Sequence, residues 1–87
     1  MKVNIGEGIS IDEKKVNIGD SLINCLQVLG NPNKDFYTEK RFYCNYFERG
    51  LDLVFENDLL TKIILHTNQF ADTNFAFYDR CFFELDF

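Results

Sequence analysis

Gly19-Asp-Ser-Leu-Ile-Asn-Cys-Leu-Gln-Val-Leu-Gly-Asn-Pro32 is the stretch of this 87-residue chain in which apolar residues repeat with helical spacing. Leu22, Ile23, Leu26 and Leu29 fall on one face, the pattern of a helix that packs on something. Gly19-Asp20-Ser21 supplies a capping residue, Gly30 stands where a left-handed C-cap belongs, and Pro32 forbids continuation. The spacing therefore predicts one helix over about residues 20–29. A helix this short is marginal alone and has to be held by packing.

Outward from it the pattern changes to strands. On the N-terminal side Ile9 and Ile11, then Val16 and Ile18, alternate with polar neighbours, with Asp12 to Lys15 as the solvated turn between them. Lys2-Val-Asn-Ile-Gly6 recurs as Lys15-Val-Asn-Ile-Gly19, which reads as two similar strand edges, since two short copies make no solenoid. On the C-terminal side Phe42 to Phe47 is dense in aromatics and Arg49-Gly50 marks a tight turn. Leu51, Leu53 and Phe55 then alternate with Asp52 and Glu56, Asn57-Asp58 opens the next turn, and Lys62 to Thr67 forms another strand. A looser connection over Asn68 to Asn74 leads to a final strand carrying Phe75, Phe77, Cys81, Phe83, Leu85 and Phe87 on one face. The expected class is α+β: short N-terminal strands and one main helix packed on an antiparallel four-stranded meander over about 41–87, within a single small domain spanning 1–87. Parity puts Tyr43, Val54, Ile64, Tyr78 and Phe82 on the face away from the helix.

Composition narrows the function classes. Hydrophobic residues at 46% with a single proline describe a globular chain. Ten Phe and four Tyr supply more ring area than one small layer hides, so an aromatic surface open to a neighbour, including self-association, is expected. A net charge of −5 argues against nucleic acid and against docking on anionic lipid, both of which need basic patches. No run approaches the roughly 18 apolar residues of a membrane span, so direct membrane insertion is not expected. Cys25, Cys44 and Cys81 are odd in number and far apart, which fits reduced thiols and a cytoplasmic location.

Little in the chain is patterned for catalysis. His66 is the single histidine, and nucleophilic chemistry would need a cysteine beside it. If the last two strands pair about the centre of their connection, His66 faces Phe77 and Cys81 faces Lys62, too far apart for proton transfer. The cysteines also lack the short knuckles of a zinc site. No cofactor is implied: Gly6-Glu7-Gly8 lacks the third glycine and the following helix of a dinucleotide fingerprint. Asp52 and the other carboxylates fall on turns or on the outward parity of strands and read as a solvated face. Leu65-His-Thr-Asn68 ends a strand in three consecutive hydrogen-bonding side chains. It reads either as strand-end chemistry or as a contact point anchored by Tyr46, Arg80 and nearby aromatics.

An ordered series of segments carries a resemblance. Val16-Asn-Ile-Gly-Asp-Ser21, Leu29-Gly-Asn-Pro32, Asn45-Tyr-Phe47 with Gly50-Leu-Asp52, Lys62 through Asn68, and Tyr78-Asp-Arg-Cys81 follow one another. Together they closely resemble the eukaryotic phagophore assembly factor family. Members of that family are several-fold longer, so the chain corresponds to a later segment of them, excised or reduced. The connection between Lys34 and Arg41 is shorter than the polar insertion of animal members. The Gly-x-Ser helix ending in Leu-Gly-x-Pro is also similar in pattern to the helix-plus-meander domain of bacterial outer-membrane assembly lipoproteins, an analogy of fold that transfers no function.

The resemblance implies a non-enzymatic role in autophagy, as a protein-interaction module docking a WD40 β-propeller partner, or sister domains of the same chain, at the phagophore assembly site. Recruitment to autophagosomal membranes would follow, with any lipid affinity belonging to the propeller. The positions expected to matter for interaction are Tyr46, Phe47, His66, Thr67, Asn68 and Arg80. Two alternatives are a structural repeat of a longer trafficking scaffold and a small Cys/His enzyme.

Overall fold

Asp12 and Glu13 (φ 51° and 69°) and Asn57 and Asp58 (φ 54° and 63°) all adopt positive φ. Two such residues in succession make the turn that joins twisted antiparallel strands most tightly. The first pair links β2 (Gly8–Ile11) to β3 (Lys14–Asn17), and the second links β6 (Leu51–Glu56) to β7 (Leu59–Leu65). The structure is a computed structural model, and it describes residues 1–4, 6–66, 81 and 84–86. The remaining elements are β1 (Lys2–Asn4), α1 (Leu22–Leu29), β4 (Lys34–Thr38), β5 (Arg41–Tyr46) and β8 (Glu84–Asp86).

The strands form two sheets, in the orders β3-β2-β1-β8 and β4-β5-β6-β7. In the first sheet the Lys-Val-Asn parts of the repeat, 2–4 and 15–17, flank β2 on opposite sides, with Val3 opposite Ile9 and Ile9 opposite Val16. Gly8 is required there by close approach, because a Cβ would run into the Val16 carbonyl oxygen and the Asn17 backbone. The second sheet is the antiparallel meander, and the α+β class holds, although sheet dominates.

Its position in the chain corrects the sequence reading. The meander spans Lys34–Leu65, not 41–87, and its fourth strand is β4, the stretch read as a connection. β8 lies in the other sheet, parallel to β1, with Val3 opposite Leu85. Residues 67–80, 82, 83 and 87 lie outside the described residues, and with them Tyr78, Phe82 and most of the expected final strand.

Helix α1 begins at Leu22. Ser21 is its N-cap, and the Ser21 Oγ accepts the Asn24 amide at 3.1 Å. Gly30 closes it at φ 79°, its N–H donating to the Leu26 carbonyl. Cys25 and Leu29, four apart, are the buried positions, whereas Ile23 is 69% exposed and leaves the expected face. Ile18, expected in a strand, also stands outside one and is exposed.

One core joins all three layers: Ile9, Ile11 and Val16 from the first sheet, Cys25 and Leu29 from the helix, and Cys44, Leu51, Leu53, Phe55 and Leu60 among the meander residues. A bulge after Val54 makes this possible. Val54 opposes Lys62 but Phe55 opposes Leu60, so Thr61 is the additional residue, its Oγ1 donating to the Val54 carbonyl at 3.2 Å. That shift turns Leu60 and Ile63 to the same side despite their unlike parity.

Candidate functional site

The hairpin Tyr46–Leu51 places Asn45 directly opposite Asp52, both on the face away from the helix. Cross-strand partners on one face are within side-chain reach. Asn45 Nδ2 donates to Asp52 Oδ1 at 2.8 Å. His66, one residue past β7, has the parity of Ile64, which opposes Asp52. Its ring reaches the other carboxylate oxygen, with Nε2 2.8 Å from Asp52 Oδ2. A carboxylate only accepts, so the ring proton sits on Nε2 and is donated to Asp52. Asn45, Asp52 and His66 are exposed by only 5%, 7% and 7%, and are the buried polar side chains among the described residues.

Burying a carboxylate is costly unless it is paired and hydrogen-bonded, and here both oxygens are engaged. The network thus specifies register, because a slip of β5 against β6 would strand Asp52 beside apolar neighbours. The carboxylate assigned to a solvated face is therefore a correction: Asp52 is an internal hub. Asn45 enters the sequence reading only within the Asn45-Tyr-Phe47 segment of the resemblance, with no role attached. A usable signal was present, since a polar pair equidistant from the Glu48-Arg49 turn must face each other across a hairpin.

The main chain of His66 is pinned as well. Its N–H donates to the Gly50 carbonyl at 2.7 Å, and its carbonyl accepts the Cys81 N–H at 2.8 Å. Cys81 therefore meets His66 directly, correcting the expected separation along the ladder. The contact runs through backbone. Burial pushes the Cys81 thiol up, opposite to what an activated nucleophile needs. Burial likewise raises Cys25, helped by Asp20 and Cys44, to about 12, and raises Cys44, helped by Asp35, to about 11.

Three of the six expected interaction positions are described. Tyr46 is buried, and its hydroxyl donates to the Gly30 carbonyl at 2.9 Å, tying the helix C-terminus to the meander. Burial raises its hydroxyl pKa. Phe47 is half-buried at the start of the turn Phe47–Gly50, its N–H donating to Asn33 Oδ1 at 2.8 Å. His66 is the buried hub partner. Thr67, Asn68 and Arg80 lie outside the described residues, but Thr67 and Arg80 are covalent neighbours of the bonded pair His66 and Cys81. The structure thus brings Asn45, Asp52, His66 and Cys81 to one place and sets Tyr46 on the opposite face of β5.

Comparison with known proteins agrees with the ordered segments. Residues 38–87, more than half of the chain, match the model of the phagosome assembly factor 1 family. The chain belongs to that family. A PHAF1 protein of Caenorhabditis elegans is 29% identical over 97 aligned residues, which cover 88% of this chain and 23% of the relative. The chain thus spans about a quarter of the length of that relative. No solved structure matches it. Among the described residues, no helix is long and apolar enough to cross a membrane.

Proposed function

We propose that this domain is a non-enzymatic protein-interaction module of an autophagy-linked assembly, docking a WD40 β-propeller partner at the phagophore assembly site from the cytoplasm. Membership of the phagosome assembly factor 1 family is the observation that carries this reading. Two features support it. The three cysteines are buried with thiols pushed upward, and the ring of His66 is committed to a buried carboxylate. In addition, a net charge of −5 leaves phosphoinositide binding to the partner.

In this reading the turn starting at Phe47, with Thr67, Asn68 and Arg80, carries the contact. Buried Tyr46 and His66 hold the backbone behind it. The test is a tagged pull-down from source cells with this domain as bait, read by mass spectrometry. Enrichment of a WD40 propeller supports the reading. A folded bait that enriches none refutes it, as does an isolated domain that floats with phosphoinositide vesicles at physiological salt. A thiol that iodoacetamide labels faster than free cysteine near neutral pH would favour the enzyme instead.

A further inference from the structure

β4 is the outer strand of the meander, and all five of its residues are exposed. Among the described residues it pairs with β5 alone, so its other edge presents backbone donors and acceptors, a template for another strand. Both of its faces carry aromatics. Phe36 stacks on Tyr43 with centroids 4.9 Å apart and planes 4° off parallel, and Tyr37, 72% exposed, lies 4.5 Å from Phe42. The Lys34 ammonium stands 5.9 Å from the Phe36 ring centroid.

We propose that β4 pairs with β4 of a second copy of this chain, antiparallel about a two-fold axis through Phe36, joining two meanders into one continuous sheet. Such an axis is normal to the sheet and keeps each face on its own side, so only registers that oppose residues of like parity are allowed. Charge and strand length select among them. Centred on Asp35, the register sets that carboxylate against itself. Centred on Tyr37, it pairs only Phe36, Tyr37 and Thr38 within β4, because Glu39 already lies in the turn to β5 at φ 52°. Centred on Phe36, it opposes Phe36 to Phe36, Asp35 to Tyr37 and Lys34 to Thr38, with no like charges in opposition. It also continues the Tyr43–Phe36 stack into a four-ring row across the junction. The contact is small and the chain carries −5, so the dimer is a weak one, below the ~1,200 Å² of standard interfaces. This inference does not depend on the propeller partner, and its failure would leave that reading intact.

Sedimentation equilibrium of the 87-residue chain over a wide concentration range tests it, with circular dichroism confirming that each variant is folded. The wild-type chain is expected to dimerise reversibly. Phe36→Lys sets two lysines against each other at the axis and should weaken the dimer about tenfold or more. Tyr37→Lys sets a lysine against the partner's Asp35 twice, and should leave the dimer as tight or tighter. A wild-type chain that stays monomeric throughout overturns the proposal. A dimer weakened by Tyr37→Lys as much as by Phe36→Lys also overturns it, because aromatic stickiness without this register would respond to both alike.

Discussion

Asp52 on β6 and His66 just beyond β7 hold each other at 2.8 Å with both side chains buried. Around that bond the described polar interior is organised: Asn45 takes the other carboxylate oxygen, and the backbone of His66 binds both Gly50 and Cys81. Removing one member takes a charge-assisted hydrogen bond from the other while it stays buried. Asp52→Ala and His66→Ala should each cost about 3 kcal/mol. The double variant should cost less than the sum of the two by about 1 kcal/mol or more. Urea unfolding of the four proteins measures this, and additive losses would mean that the pair contributes no coupling.

Backbone crowding makes Gly8 the least replaceable glycine. Gly8→Ala drives a Cβ into the Val16 carbonyl on the neighbouring strand, whereas Gly30→Ala meets nothing within 4 Å and bears only the positive φ. The first should abolish cooperative unfolding or lower stability well beyond the second. The second should cost about 1–3 kcal/mol, because Gly30 (φ 79°, ψ −169°) sits where essentially only glycine goes. Equal effects would contradict the packing of β2 on β3.

The helix was legible because its signals are local: Ser21 and Gly30 act as caps, and Pro32 excludes continuation. The turns at Asp12-Glu13, Arg49-Gly50 and Asn57-Asp58 were legible for the same reason. β4 was not, since both of its faces are exposed and no apolar alternation marks it. Nor was the pairing of β1 with β8, a parallel contact between chain ends that leaves no local trace. Ile23 misled because its spacing fits the helical face while the packing uses Cys25 and Leu29. At the candidate site, His66 was singled out as a residue, but its hub was not. Asp52 was assigned to solvent by parity, and parity assigns a face without saying whether that face is buried.

Alkaline pH should destabilise the fold through its thiols. Cys25 and Cys44 are raised by burial from an ordinary 9.0 to about 12 and about 11. Above the ordinary value the unfolded chain releases protons that the folded chain keeps, so unfolding is favoured as pH rises. Their contribution is intact below pH 9.0 and is lost progressively up to about 11 for Cys44 and about 12 for Cys25. The slope is about 1.4 kcal/mol per pH unit for each thiol. Unfolding free energies at a series of pH values from neutral upward check this. Cys25→Ala with Cys44→Ala should flatten the decline, and an unchanged slope would contradict it.

Tyr46 acts through one hydroxyl. Tyr46→Phe keeps the buried ring and removes the donor to the Gly30 carbonyl, so it should lower stability by about 1 kcal/mol. Hydrogen exchange should also speed up at the last turn of α1 more than in β6. Uniform acceleration across both would mean that the bond does not anchor the helix end.

In the proposed function the folded domain is itself the binding surface for a propeller partner. The most direct measurement compares recovery of WD40 proteins from source-cell lysate on two matched baits, the wild-type domain and Gly8→Ala, by quantitative mass spectrometry. The prediction is enrichment of one propeller protein on the wild-type bait and its loss on Gly8→Ala, with circular dichroism confirming that this variant has lost the fold. Equal recovery on both baits, or no propeller on a folded wild-type bait, would contradict it.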